Sequence, residues 1–150
     1  HDPTDYFKGV SHALYNLDRD NEIDIWLQRL DEWWTGLDRE EQQEHEEDYL
    51  STLLVMLRNL AWSHPADTLA RLERVLPRAL ASPLPGMRRV AGNVLEYAGQ
   101  EERALALYQE SLKMVRPGEP DDQEQAQLAR SNIERCRKAL RSKKPWWKFW

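Results

Sequence analysis

Val90-Ala91-Gly92-Asn93-Val94-Leu95-Glu96-Tyr97-Ala98-Gly99-Gln100-Glu101-Glu102-Arg103-Ala104-Leu105-Ala106-Leu107-Tyr108-Gln109-Glu110-Ser111-Leu112 reads as two short helices joined at Gly99. Glycine enters the left-handed backbone region at no steric cost, so Gly99 is suited to end the first helix. Small residues at Gly92 and Ala104 let two antiparallel helices approach closely, and Tyr108 is large enough to fill the groove beside them. The arrangement is a packing code, not chemistry.

These residues resemble a tetratricopeptide (TPR) repeat. In that family a small residue on the first helix is followed by Gly at the turn seven residues on, Ala five further and an aromatic four beyond. Gly92, Gly99, Ala104 and Tyr108 occupy those places, Leu112 follows, and Pro117 stands one residue past the usual closing proline. The likeness covers Pro85 to Pro117. An offset of 34 residues also lays Ala70 on Ala104, Leu60 on Val94, Pro65 on Gly99 and Pro83 on Pro117, so residues 50–83 read as a degenerate repeat. Carried forward, the offset puts Ile133 where a turn residue belongs, and the repeat stops. The first fifty residues carry no such likeness. The resemblance implies stacked helix pairs and a body that holds protein partners.

Working toward the N-terminus, Ala66 to Leu80 has Leu69, Leu72, Val75, Leu76 and Leu80 at helical spacing, with Pro65 marking its start and Pro77 kinking or splitting it. Asp38 can cap a long helix. Its acidic opening, Glu40, Glu41, Glu44, Glu46, Glu47 and Asp48, suits the positive end of the helix dipole, and its second half, Tyr49 to Ala61, is apolar enough for a central core element. Asn21 is expected to cap a helix with Ile23, Trp26, Leu27, Leu30 and Trp33 or Trp34 inward, ending near Gly36. Thr4 to Leu17 places Tyr6, Val10, Ala13, Leu14 and Leu17 on one stripe, and Asp18 to Asp20 reads as a turn. Toward the C-terminus, residues 122–141 read as one closing helix with Ala126, Leu128, Ala129, Ile133, Cys136, Ala139 and Leu140 apolar and its second half basic.

The chain has 150 residues, the length of one domain, with 41% hydrophobic and 31% charged residues, too apolar for general disorder. The net charge of -5 conceals an asymmetry: residues 130–150 carry about +7, leaving about -12 for the rest. A single cysteine, Cys136, forbids an intrachain disulfide, which points to a reducing, cytoplasmic compartment. No apolar run approaches the roughly 20 residues of a membrane-spanning helix. The chain opens on His1 rather than Met, which reads as a processed or trimmed product and leaves an upstream signal or anchor open.

Catalytic patterns are absent from this reading. His1, His12, His45 and His64 are scattered, no paired Cys/His spacing occurs, and the six glycines form no phosphate loop. His45 with Glu41 and Asp48 can share a helical face, an accident of exposed acidic helices rather than a metal site. Cys136 lies on an apolar stripe and reads as a buried small hydrophobe. Neither an enzyme nor a cofactor is expected.

The functional signal is the tail, Lys143-Lys144-Pro145-Trp146-Trp147-Lys148-Phe149-Trp150. Trp146, Trp147, Phe149 and Trp150 supply contact area, and Lys143, Lys144 and Lys148 supply steering. One reading makes it an anchor in a protein groove, which can belong to another copy of the chain. A second makes it a reversible membrane-surface device on anionic lipid, and in this it resembles Trp- and Lys/Arg-rich cationic antimicrobial peptides. Stacking on single-stranded nucleic acid ranks last, because the rest of the chain repels a polyanion. Folding back onto the helical body, or disorder, are the non-functional readings. The sequence thus predicts an all-α antiparallel helical array, a short TPR-like α-solenoid of about seven helices over residues 1–142, with an aromatic-basic tail at 143–150. The expected function is that of a non-catalytic protein-protein adaptor.

Overall fold

Residues 3–143 are described by the computed structural model, and among them there are seven α-helices and no strand. The helices are α1 (Pro3–Asn16), α2 (Ile23–Thr35), α3 (Arg39–Ala61), α4 (Pro65–Leu80), α5 (Pro85–Tyr97), α6 (Glu101–Lys113) and α7 (Pro120–Lys143), with one 3-10 turn at Asp20–Glu22. The expected all-α array is therefore what forms.

The packing order is regular. Each odd-numbered helix packs on the next odd one, and each even-numbered helix packs on the odd helices before and after it, while α2, α4 and α6 meet one another only through the ion pairs Arg71–Asp24 and Arg103–Glu73 among the described residues. Three antiparallel pairs, α1–α2, α3–α4 and α5–α6, thus follow one another and α7 covers the last. The first fifty residues, which lack the Gly-Gly-Ala-Tyr pattern, join the array in the same manner as the rest.

Local chemistry explains the boundaries. Asp38 accepts from the Glu41 N–H at 2.8 Å while the Glu41 side chain accepts from the Asp38 N–H, a capping box that starts α3. Pro65 and Pro85 stand in the first turns of α4 and α5, where a missing N–H costs nothing. At the end of α5 the Gln100 N–H bonds to Leu95 O at 2.8 Å and the Gly99 N–H to Glu96 O at 3.0 Å, with Gly99 at φ 88°. That is a Schellman motif. The same pair of bonds closes α1, where Asp18 takes the left-handed position at φ 55°.

The core is continuous from Phe7 and Ile23 through Leu50, Leu54 and Leu57 to Val94, Tyr108 and Cys136. The second half of α3 is buried as expected, Tyr49, Leu50, Leu53, Leu54, Leu57, Leu60 and Ala61 all lying inside. Trp26, Trp33 and Trp34 pack against the core, Trp34 stacked on Tyr49 at 4.3 Å between ring centroids.

Five expectations are corrected. In α1 the inward face is Thr4, Phe7 and Ser11, whereas Tyr6 and Leu17 are 60% and 63% exposed. The small polar side chains allow close approach, and Ser11 Oγ accepts from Asn59 Nδ2 of α3 at 2.7 Å, so a buried hydrogen bond decides the rotation of α1 over the larger apolar stripe. Asn21 does not cap α2; it lies in the 3-10 turn, and Glu22 precedes the helix without a side-chain cap bond. Ala70 is exposed, so it is not the counterpart of buried Ala104; Thr68, Leu72 and Ala79 are the buried residues of α4. Pro77 does not split α4, which runs unbroken from Pro65 to Leu80. The closing helix is also longer than 122–141, running from Pro120 to Lys143.

Candidate functional site

Of the residues assigned from sequence to a binding site, Lys143 is the one that lies among those described. It ends α7, and its Nζ stands 2.6 Å from Oε1 of Glu101 at the start of α6. Burial raises the Glu101 carboxyl, but hydrogen bonds from Lys143 and a backbone N–H outweigh it and hold the group below the usual carboxylate range. Lys143 is thus tied to the helical body. Lys144, Trp146, Trp147, Lys148, Phe149 and Trp150 lie outside the described residues.

Beside the base of the tail is a concavity that sequence reasoning did not identify. It lies between α6 and α7, has a volume of about 780 Å³, and is lined by Gln109, Leu112, Lys113, Arg130, Ile133, Glu134, Arg137 and Arg141. Leu112 and Ile133 form an apolar floor. Four cations and one carboxylate surround it. Arg130, Arg137 and Arg141 share a stripe of α7 with Ile133, at intervals of three, four and four residues, the helical repeat. Among the described residues none of these three arginines, nor Lys113, takes part in an ion pair. The signal was present in the spacing, but a basic helix end also complements the helix dipole, and the sequence does not say which stripe of α7 faces out.

A polar chain links α5, α6 and α7. Tyr108, fully buried, accepts from Asn93 Nδ2 and donates to Glu96 Oε1, both at 2.7 Å. Glu96 receives Arg135 Nε at 2.6 Å and Nη2 at 2.8 Å. Burial first, and then the adjacent Glu96 carboxylate, push the Tyr108 phenol far above its usual value. The hydrogen bond to Glu96 raises Arg135 in turn. Cys136, also fully buried and near Glu96, is pushed up to about 12 by burial first and that carboxylate second. A thiol so held is neutral and inert.

Among the described residues, His12, His45 and His64 lie apart from one another, with different neighbours. His64 Nδ1 is 2.9 Å from Ser63 Oγ, which in turn contacts Asp20, so the hydroxyl rather than the imidazole occupies the middle of the relay. The adjoining cavity, lined by Asn21, Asp24, Leu60, His64 and Asp67, measures about 50 Å³, room for water and no substrate. His12 contacts Asn59 Nδ2 at 3.1 Å and is lowered by burial, then by Arg58 and Lys8. His45 lies against Trp33. Among the described residues no group of three or more His, Cys, Asp or Glu side chains is placed to hold a metal ion. No described helix is long and apolar enough to cross a membrane.

No protein-family model, curated protein or solved structure matches this chain.

Proposed function

We propose that the protein is a non-catalytic interaction adaptor of TPR-like character, in which the helical body takes one protein partner and the aromatic-basic tail takes a second. The observation that carries this reading is the open α6–α7 groove. An apolar floor rimmed by cations that form no ion pair among the described residues is a surface for a macromolecular partner, since the floor gains from burial and the rim from opposite charge. The hydrogen bonds that link α5, α6 and α7 oppose rearrangement of the two helices that form the groove, which lowers the cost of binding.

A peripheral membrane role is the second reading, favoured by one feature. The basic stripe of α7 is followed in sequence by Lys143, Lys144 and Lys148, so the C-terminal part of the chain is rich in positive charge that anionic headgroups would attract.

Sedimentation with neutral and anionic vesicles at two salt concentrations separates the two, using the whole chain and a chain ending at Lys143, which keeps the Lys143–Glu101 pair. The adaptor reading expects both chains to stay in the supernatant. Pelleting with anionic vesicles that is lost on truncation and in high salt would assign the tail to membranes instead.

A further inference from the structure

In this array every groove between an even helix and the odd helix before it receives the next odd helix. The α1–α2 pair is covered by α3, α3–α4 by α5, and α5–α6 by α7. The groove between α6 and α7 is of the other kind, between an even helix and the odd helix after it, and no described helix covers it. An occupant must cover the apolar floor of Leu112 and Ile133. The rim states its charge: Lys113, Arg130, Arg137 and Arg141 repel one another across the groove, with only Glu134 among them, and an acidic helix would relieve that repulsion. The tail of the same chain matches the rim less well in charge, because Lys144 and Lys148 would add cations to it.

The chain itself contains a helix that meets the requirement. Glu40, Glu44 and Glu47 lie on one exposed stripe of the first half of α3, and none of them forms an ion pair among the described residues. From Glu40 to Glu47 is the same seven-residue step as from Arg130 to Arg137, about 10.5 Å along a helix axis in each case. The segment is already folded, its cap fixed by Asp38 and its side braced by the Glu46–Arg78 pair, so docking it orders nothing new.

We propose that the α6–α7 groove docks the acidic first half of α3 from a second copy of this chain. The proposal rests on reading the helical body as a protein-binding surface. It makes self-association salt-sensitive, either as a reciprocal dimer or as a head-to-tail chain of copies.

The test is sedimentation velocity of the full chain over a range of concentrations, at about 50 mM and about 500 mM salt. Three variants accompany it: Arg130→Glu with Arg137→Glu, Glu40→Lys with Glu44→Lys, and the chain ending at Lys143. Circular dichroism checks that each is folded. At low salt the wild-type mass should rise with concentration, and each pair of reversals should weaken association about tenfold or more. An equimolar mixture of the two reversed chains should associate although neither does alone, because each then supplies the charge the other lacks.

A wild-type chain that stays monomeric at low salt overturns the proposal, as does association that survives both reversals. Reversals that weaken association without recovery in the mixture overturn it as well. Association lost only in the chain ending at Lys143 would place the contact in the tail, which overturns the groove proposal and leaves the adaptor reading standing. Groove reversal that instead abolishes pelleting of a monomeric chain with anionic vesicles makes the groove a headgroup site, and both fail.

Discussion

A β-carbon added at Gly92 would lie 2.6 Å from Cε1 of Tyr108, a separation that real side chains do not tolerate. The absence of a side chain at position 92 is thus what lets α5 and α6 close around a fully buried tyrosine. Position and partner were both legible in the sequence as a small residue and an aromatic sixteen apart, and the contact between them needed the turn at Gly99 to exist.

Gly92→Ala should destabilise the protein. Alanine gains about 1 kcal/mol in helix propensity, but overpacking against a ring with no free volume costs about 1–3 kcal/mol, and the second effect wins. Gly92→Val should cost more. Combining Gly92→Ala with Tyr108→Leu should recover part of the loss, seen as a favourable coupling in denaturant unfolding.

Tyr108→Phe keeps the ring and removes the hydroxyl that joins Asn93 to Glu96. Asn93 Nδ2 is then left without its partner in a buried site, at a cost of about 1–3 kcal/mol. The check is a chemical denaturation midpoint. Unchanged stability would mean that this polar chain contributes nothing to holding α5, α6 and α7 together.

Removing the α3 cap by Asp38→Ala should cost about 0.5–2 kcal/mol, whereas Asp38→Ser should recover most of it because a hydroxyl can accept the same N–H. Hydrogen exchange of the first turn of α3 should rise in the alanine variant alone.

Asp122 sets a dependence on pH. It accepts from the Arg116 N–H at 2.8 Å and from Arg116 Nε at 2.9 Å, bonds that close the turn around Gly118, and these hold its carboxyl below the ordinary 3.8. A carboxyl lowered in the folded state binds fewer protons there than when unfolded, so stability rises with pH across that interval. Its contribution is fully present above the unfolded value and disappears as pH falls through the folded one. The unfolding midpoint of Asp122→Asn should therefore fall less steeply than wild type between about pH 6 and about pH 2. Parallel curves would remove Asp122 from the acid response.

Much of the fold can be read from local chemistry. Seven apolar stripes of period 3.6, a cap at Asp38, prolines at Pro65 and Pro85 and a left-handed glycine at Gly99 each act over a few residues, so each is written where it acts. The rotation of α1 is different. Its apolar stripe through Tyr6 and Leu17 is the larger, yet Ser11 faces inward because Asn59, 48 residues away, needs a partner. No local pattern encodes that. The candidate site divides in the same way: the cations of α7 and the aromatic-basic tail are plain in the chain, and their spacing shows that Arg130, Arg137 and Arg141 share a stripe. Only the packing of α6 on α7 decided that the stripe faces outward beside Leu112 and Lys113, because a groove is a relation between two helices and belongs to neither sequence alone.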